Sequence, residues 1–305
     1  MLTSLLSIYI ASVIQSNTVS VFNLREDSAP SIVKTASANL SDIEKSKYIP
    51  LKNPEFISPI IQAPAALVMD LKTGMILFEK NSHERRQIAS LTKLMTATII
   101  MEENNLDDTV TISSAATKAT GSTMYLTTGE KILVRDLLYG MIINSSNDAA
   151  IALAEFNTGD TKKFVEKMNK KALALGLLNT HFSNPIGLDD KDNYASAYDL
   201  AKLSQYIYQK KFIKEAAEIE KITVYSIDKK YKHKLESTNE LLDTDFITFK
   251  GLKTGTTDQA GLCIITVAEN EDENEILTIL LRSPDRFKET KILADWTFRA
   301  YNWQR

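Results

Sequence analysis

The order of strand-like and helical runs constrains this chain most. Ala66–Asp70 and Met75–Glu79 are short apolar runs joined by Leu71-Lys-Thr-Gly74, which reads as a hairpin turn. Gly261–Glu269 and Glu275–Arg282 are two further strand-like runs near the other end, separated by the charged turn Asn270–Asn274, and Thr223–Ile227 reads as another strand. Between the two ends lie helical patterns. Leu91–Glu103 is dense in Leu, Met, Ile and Thr, as a buried helix is; Val134–Ile143 and Asp148–Phe156 are apolar-rich helices broken at Asn144-Ser-Ser146. Lys162–Leu175 is amphipathic and stops at Gly176, Ser196-Ala-Tyr-Asp199 opens a helix as a capping box, and a terminal helix runs from about Arg286 to Tyr301. Strands, helices, then strands again predict an α+β fold: a largely antiparallel sheet fed from both chain ends, flanked by helices, with an inserted helical lobe.

The bulk properties exclude several classes. Thirty-six basic and 39 acidic side chains give a net charge of −3 with no long basic block, so nucleic acid is not an expected partner. One cysteine, Cys263, permits no internal disulfide, and its apolar strand makes it a core residue. His83, His181 and His233 stand far apart, without metal-ligand spacing, so neither a metal nor a cofactor is expected; His83 and His233 read as surface residues and His181 as structural. No two glycines lie two or five positions apart, and no Gly-x-Ser-x-Gly occurs, which removes dinucleotide folds, phosphate loops and the hydrolase elbow.

Residues 1–24 carry no charge and contain a short apolar stretch from Leu5 to Ile14. They read as a signal peptide or N-terminal anchor without the usual basic start, and the expected location is outside the cytoplasm, with membrane attachment only through this segment if it is not cleaved. Residues 25–60, with Pro30, Pro50, Pro54 and Pro59, read as a linker, and 61–305 as one catalytic domain.

Three short motifs can carry chemistry. In Ser90-Leu-Thr-Lys93 a spacing of three places a hydroxyl and an amine on one helix face, the arrangement a serine nucleophile needs from its base. Alone, it equally describes a helix cap followed by a surface lysine. Ser145-Ser-Asn147 falls in a helix break, where it either caps the next helix or points a hydroxyl and a carboxamide into a cleft. Lys253-Thr-Gly255-Thr256, followed by a strand, offers a fixed positive charge, a hydroxyl, and a glycine that lets a substrate backbone lie close. Lys72-Thr-Gly74 spells the same tripeptide in what reads as a plain turn.

Taken jointly and in order, these motifs resemble the low-molecular-mass penicillin-binding proteins, specifically D-alanyl-D-alanine carboxypeptidases, and more distantly the serine β-lactamases. The resemblance covers roughly Pro64 to Trp296. It extends through Ala89–Ala97, Gly140–Ala149, Phe182-Ser-Asn-Pro-Ile-Gly-Leu188 and Gly251–Gly261. It implies a serine-type D-Ala-D-Ala carboxypeptidase that acts on peptidoglycan stem peptides and is acylated by β-lactam antibiotics. Ser90 would be the nucleophile and Lys93 its base. Ser145 and Lys253 would pass a proton to the departing D-alanine, and Asn147 would hold the substrate amide. The N–H groups of Ser90 and Thr256 would form the oxyanion hole, and Thr254 and Arg286 would grip the terminal carboxylate. Arg286 reads equally as a solvated residue at a helix start, and Trp296 and Phe298 as packing.

Many members carry a further β-rich domain and a C-terminal amphipathic anchor; the sequence stops at Arg305, right after the terminal helix, so neither is expected here. The rival readings are a β-lactamase, or a non-catalytic penicillin-sensing or peptidoglycan-binding module. A deacylating glutamate would distinguish the first, yet His181–Tyr194 holds Asp189, Asp190 and Asp192 and no Glu.

Overall fold

The computed structural model describes residues 18–20, 37–39 and 49–303, apart from 243, 245 and 246. The chain divides into two compact units, one spanning Lys52–Tyr301 and a smaller one formed by the residues on either side of it. In the smaller unit Thr18–Ser20 pairs antiparallel with Ser37–Asn39. The remainder of the proposed signal or anchor segment, and the linker as far as residue 48 apart from 37–39, lie outside the described residues. From Asn53 to Ile60 the chain is irregular and mostly exposed. Among the described residues no helix is long and apolar enough to cross a membrane.

In the larger unit the sheet begins with β1 (Ala65–Asp70) and β2 (Ile76–Lys80). The helical block holds α1 (Lys93–Glu103), a small hairpin of β3 (Thr109–Thr111) and β4 (Lys131–Leu133), then α2 (Val134–Ile142), α3 (Asn147–Thr158), α4 (Thr161–Ala174), α5 (Ala197–Ile207) and α6 (Lys211–Ala217). A second hairpin joins β5 (Lys221–Tyr225) to β6 (Lys232–Glu236). The chain then returns to the sheet with β7 (Thr248–Thr257), β8 (Gly261–Glu269) and β9 (Glu275–Ser283), and ends in α7 (Arg286–Ala300). The sheet order is β7-β8-β9-β1-β2, antiparallel at every step, with Lys253 opposite Ile265, Ile279 opposite Ile265 and Leu67, and Leu67 opposite Glu79. The expected antiparallel sheet receiving strands from both ends is therefore present.

All six residues of β1 are buried, and so are Cys263–Ala268 and Ile276–Leu281, which explains why these strands read as continuous apolar runs rather than alternating ones. Helix α5 packs on β1 and β9, and α7 on β8 and β9. Helix α1 is buried without interruption from Lys93 to Ile100, as a helix at the centre of a domain must be. Local signals set the ends of the elements. The Ser196 hydroxyl accepts from Asp199 N at 3.1 Å to open α5, Asp160 accepts from Lys162 N at 2.6 Å to open α4, and Gly176 closes α4 at φ +66°. The Glu289 carboxylate in α7 accepts from Ala63 N at 3.0 Å and from the Ser283 hydroxyl at 2.6 Å, tying the lead into β1 to the end of β9.

Three expectations need correction. Lys253–Thr256 is followed by a strand, β8, as expected, but itself already lies within one, β7, whose Lys, Thr and Gly residues give no β-branched alternation to read. The strand expected at Thr223–Ile227 is displaced to Lys221–Tyr225 and pairs with Lys232–Glu236, outside the main sheet. In that partner strand the side chains alternate, so His233 and Leu235 face inward between exposed lysines. His233 is 5% exposed and not a surface residue. Helix α6 and the β3–β4 hairpin have no counterpart in the sequence reading.

Candidate active site

Ser90 stands in a 3-10 turn, Ala89–Thr92, that runs directly into α1. The preceding residue, Ala89, has φ +47°, a backbone that costs an L-residue about 1–2 kcal/mol. Two glycines hold this turn in place. A β-carbon at Gly187 would lie 1.9 Å from the Ala89 carbonyl oxygen, so only a glycine lets the loop lie beneath Ser90. A β-carbon on Gly255 would come within 3.1 Å of Ser90 N and 3.0 Å of the Ile88 carbonyl oxygen. The Lys253-Thr-Gly motif thus runs hard against the backbone amide of Ser90.

Lys93 Nζ lies 2.8 Å from Ser90 Oγ and donates to the Ile186 carbonyl at 2.6 Å. It is completely buried. Burial, and then the ammonium of Lys253, push its pKa well below that of an ordinary lysine, while the Asp148 carboxylate acts weakly the other way. Lys253 is 2% exposed and donates to the Thr254 carbonyl at 3.0 Å; burial, followed by the guanidinium of Arg286, lowers its pKa to about 7. Its charge is therefore adjustable near neutrality, not fixed as the sequence suggested.

Ser145 lies in the break between α2 and α3, where it adopts φ +59°, and Asn147 is the first residue of α3. Asn147 Nδ2 donates to the Thr120 carbonyl at 2.6 Å, and its backbone N–H donates to the Ser122 carbonyl at 2.7 Å. Asp148, next in sequence, is buried and accepts from the N–H groups of Met124 and Leu126 at 3.1 Å each. This second motif is tied to the third through a residue that sequence reasoning missed. Thr238 donates its N–H to the Ile143 carbonyl at 3.2 Å, and its hydroxyl lies 2.5 Å from that of Thr254. Arg286 Nη1 donates to the Gly255 carbonyl at 3.0 Å and to the Thr256 hydroxyl at 2.8 Å, so it is held on β7 rather than solvated. Its Nε is buried without a hydrogen-bond partner among the described residues.

The repeated tripeptide has another fate. At Lys72-Thr-Gly74 the Asp70 carboxylate accepts from the N–H and hydroxyl of Thr73 at 2.7 and 2.5 Å, and Gly74 turns at φ +74°. It is a hairpin turn, as its place between two strands implied.

A family model described as D-alanyl-D-alanine carboxypeptidase matches residues 53–283. The chain belongs to this family. Among curated relatives, the D-alanyl-D-alanine carboxypeptidase DacF of Bacillus subtilis is 36% identical over 79% of this chain, and DacC of Escherichia coli 34% identical over 80%. The chain spans 63% of the length of each of these relatives. Among solved structures, the Streptomyces K15 DD-transpeptidase is similar with a TM-score of 0.75 at 30% identity, covering 80% of this chain and 99% of that one. Penicillin binding protein 6B from Escherichia coli is similar with a TM-score of 0.72 at 33% identity, covering 81% of each chain.

Beyond Thr238, sequence reasoning missed the supports of Ser90 and Lys93 in this family member. The Asn184 side-chain oxygen accepts from the N–H groups of Ile186, Gly187 and Leu188 at 3.2, 2.6 and 3.2 Å. That cradle fixes the carbonyl that receives Lys93, and Thr96 donates to the neighbouring Pro185 carbonyl at 2.7 Å. The Asn-Pro-Ile-Gly run, with its Asn and Gly at turn positions, was the available signal. His233 gave none. It lies between the Met124 carbonyl, 2.7 Å from Nδ1, and Glu130 Oε1, 2.6 Å from Nε2. Burial alone would lower its pKa, but the hydrogen bond and charge of Glu130 outweigh that and hold it above the usual histidine range.

Proposed function

We propose that this chain is a serine-type D-Ala-D-Ala carboxypeptidase that removes the terminal D-alanine of peptidoglycan stem peptides through an acyl-enzyme on Ser90. The observation that carries this reading is the completely buried Lys93, 2.8 Å from Ser90 Oγ, with its pKa pushed down by burial and by a second lysine. A neutral amine has one lone pair and two N–H groups. With an N–H given to Ile186 O, its lone pair is free for the Ser90 proton.

Ser90 Oγ then bonds to the carbonyl carbon between the D-alanines as its proton passes to Lys93. The carbonyl electron pair moves onto oxygen, where the N–H groups of Ser90 and Thr256 receive it; the close approach of Gly255 to Ser90 N supports that pairing. As the C–N bond breaks, the departing amine takes a proton through Ser145 and Lys253, and a lysine that titrates near 7 suits the task. Water cleaves the acyl-serine in the reverse sense. Asn147 holds the substrate amide. Thr254 and Arg286 receive the terminal carboxylate, a role favoured by the unpaired buried Nε of Arg286. Such a substrate places the catalytic domain outside the cytoplasm.

The same machinery accepts β-lactams, and slow deacylation is expected. Asp189 accepts from Gln259 N at 3.1 Å and Asp190 from Asp192 N at 2.8 Å, so these carboxylates are engaged within loops rather than with Ser90. Release of D-alanine from a pentapeptide stem, lost in Ser90→Ala, tests the reading; a penicillin adduct mapped to any residue other than Ser90 would overturn it.

A further inference from the structure

Tyr125 is 84% exposed and adopts φ +61°. An aromatic residue with that backbone costs about 1–2 kcal/mol, and an exposed ring returns no burial energy to offset it. The conformation is nevertheless fixed from several directions. The Asp148 carboxylate accepts the N–H on each side of Tyr125, from Met124 and Leu126, and His233 Nδ1 holds the Met124 carbonyl. Met124 is seated so closely on α2 that a β-carbon at Gly140 would fall 2.5 Å from its sulfur. Strain that is enforced this thoroughly, and that serves to display a side chain, is expected at functional sites.

The ring borders a cleft of about 360 Å³ lined by Met124, Tyr125, Tyr231, Lys232, His233 and Lys234. The β5–β6 hairpin is basic. Residues 221–236 contain five lysines against Asp228 and Glu236, a net of +3 in a chain whose total is −3. The alternation in β6 turns Lys232 and Lys234 outward beside the ring. The cleft is also near the proposed chemistry. Asn147 N is bonded to the Ser122 carbonyl, and Tyr125 follows three residues later, within about 11 Å of extended chain.

We propose that Tyr125, Lys232 and Lys234 form a subsite for the acidic part of the stem peptide that precedes the D-alanines. The Tyr125 ring packs on the peptide, and the two ammonium groups receive a side-chain carboxylate. The proposal rests on the carboxypeptidase reading for the identity of the ligand, and its test is a binding measurement that requires no hydrolysis.

In a Ser90→Ala background, dissociation constants are measured for two peptides ending in D-Ala-D-Ala. One is diacetyl-lysyl-D-alanyl-D-alanine; the other is a full pentapeptide stem with its γ-linked glutamate carboxylate free. The expected result is that Tyr125→Ala lowers the long-to-short affinity ratio by about five- to tenfold, the scale of one aromatic contact. The double variant Lys232→Gln, Lys234→Gln lowers the same ratio and removes its dependence on salt. Tyr125→Gly, which accepts this backbone without strain, has a melting temperature at or above that of the parent and shows the same loss of ratio. An unchanged ratio in either the tyrosine or the lysine variants overturns the subsite. D-alanine release by the parent enzyme, with Ser90 intact, together with an unchanged ratio overturns the subsite and leaves the carboxypeptidase reading standing. A lowered ratio when the parent enzyme, with Ser90 intact, releases no D-alanine supports the subsite and overturns the carboxypeptidase reading.

Discussion

Gly187→Ala probes the support beneath Ser90 without replacing any side chain proposed to take part in the chemistry. The residue sits at φ +87°, and its β-carbon would lie 1.9 Å from the Ala89 carbonyl oxygen and 2.9 Å from Ser90 N. Ordinary contact begins near 3.4 Å, so either the loop or the nucleophile turn must move by about 1.5 Å. Strained backbone contributes about 1–2 kcal/mol and overpacking about 1–3 kcal/mol. Together they lower the melting temperature by about 5–10 °C in a domain of this size. Displacement of Ser90 has the larger effect, because a 1 Å error in a reacting group costs about 100-fold in rate. The assay is the acylation rate with a fluorescent penicillin, measured beside thermal denaturation. Gly159→Ala is the comparison: φ is +75° there too, but no atom lies within 4 Å of the added carbon, so it loses stability and keeps its acylation rate. A folded Gly187→Ala protein that acylates at the parent rate would refute the reasoning.

Lys93→Arg keeps a cation beside Ser90 that does not deprotonate, and acylation is expected to fall by about 10²–10⁴-fold. In the parent, acylation declines on the acid side as pH falls through the lowered pKa of Lys93, since only the neutral amine takes the proton. Lys253→Gln removes an ammonium that helps depress that pKa, so the acid limb moves to higher pH, and a limb that stays in place counts against the coupling. His233→Ala leaves Glu130 buried without its partner and costs about 3–5 kcal/mol. The folded pKa of His233 is raised, so its stabilisation is complete below the unfolded value and is lost as pH rises through the folded one. The melting-temperature gap between parent and variant is therefore widest near pH 6 and narrows toward alkaline pH, and a gap that does not vary with pH contradicts the assignment.

Features encoded within a few residues were legible in the sequence. The β1–β2 hairpin declares itself through two apolar runs and a Gly-containing turn, and α4 and α5 through their caps. The Ser90–Lys93 pair needs only helical spacing, although that spacing does not say that the lysine is dry. Dryness comes from a continuous apolar α1 and from a loop 93 residues further on, whose Ile186 carbonyl meets the amine. Interactions joining distant segments had no local signature. Thr238 with Thr254, His233 with Glu130, and Asn184 beneath Ser90 are all polar side chains that resemble surface residues until their partners are known. Strand β7 was missed for a related reason: it is built with Lys, Thr and Gly, and only pairing with the apolar β8 makes it a strand.

The sheet takes two strands from the start of the domain and three from its end, with Ser90 and Lys93 on one side of that divide and Lys253 on the other. The low basicity of Lys93 is thus a property of the finished domain. A nascent or partly unfolded chain carries the serine and its neighbouring amine, but in water that amine holds its proton and the hydroxyl is inert. Under the proposed mechanism the serine would gain its full reactivity only when the burial of Lys93 is joined by the charge of Lys253 on the late strand β7, so completion of the fold itself would switch it on.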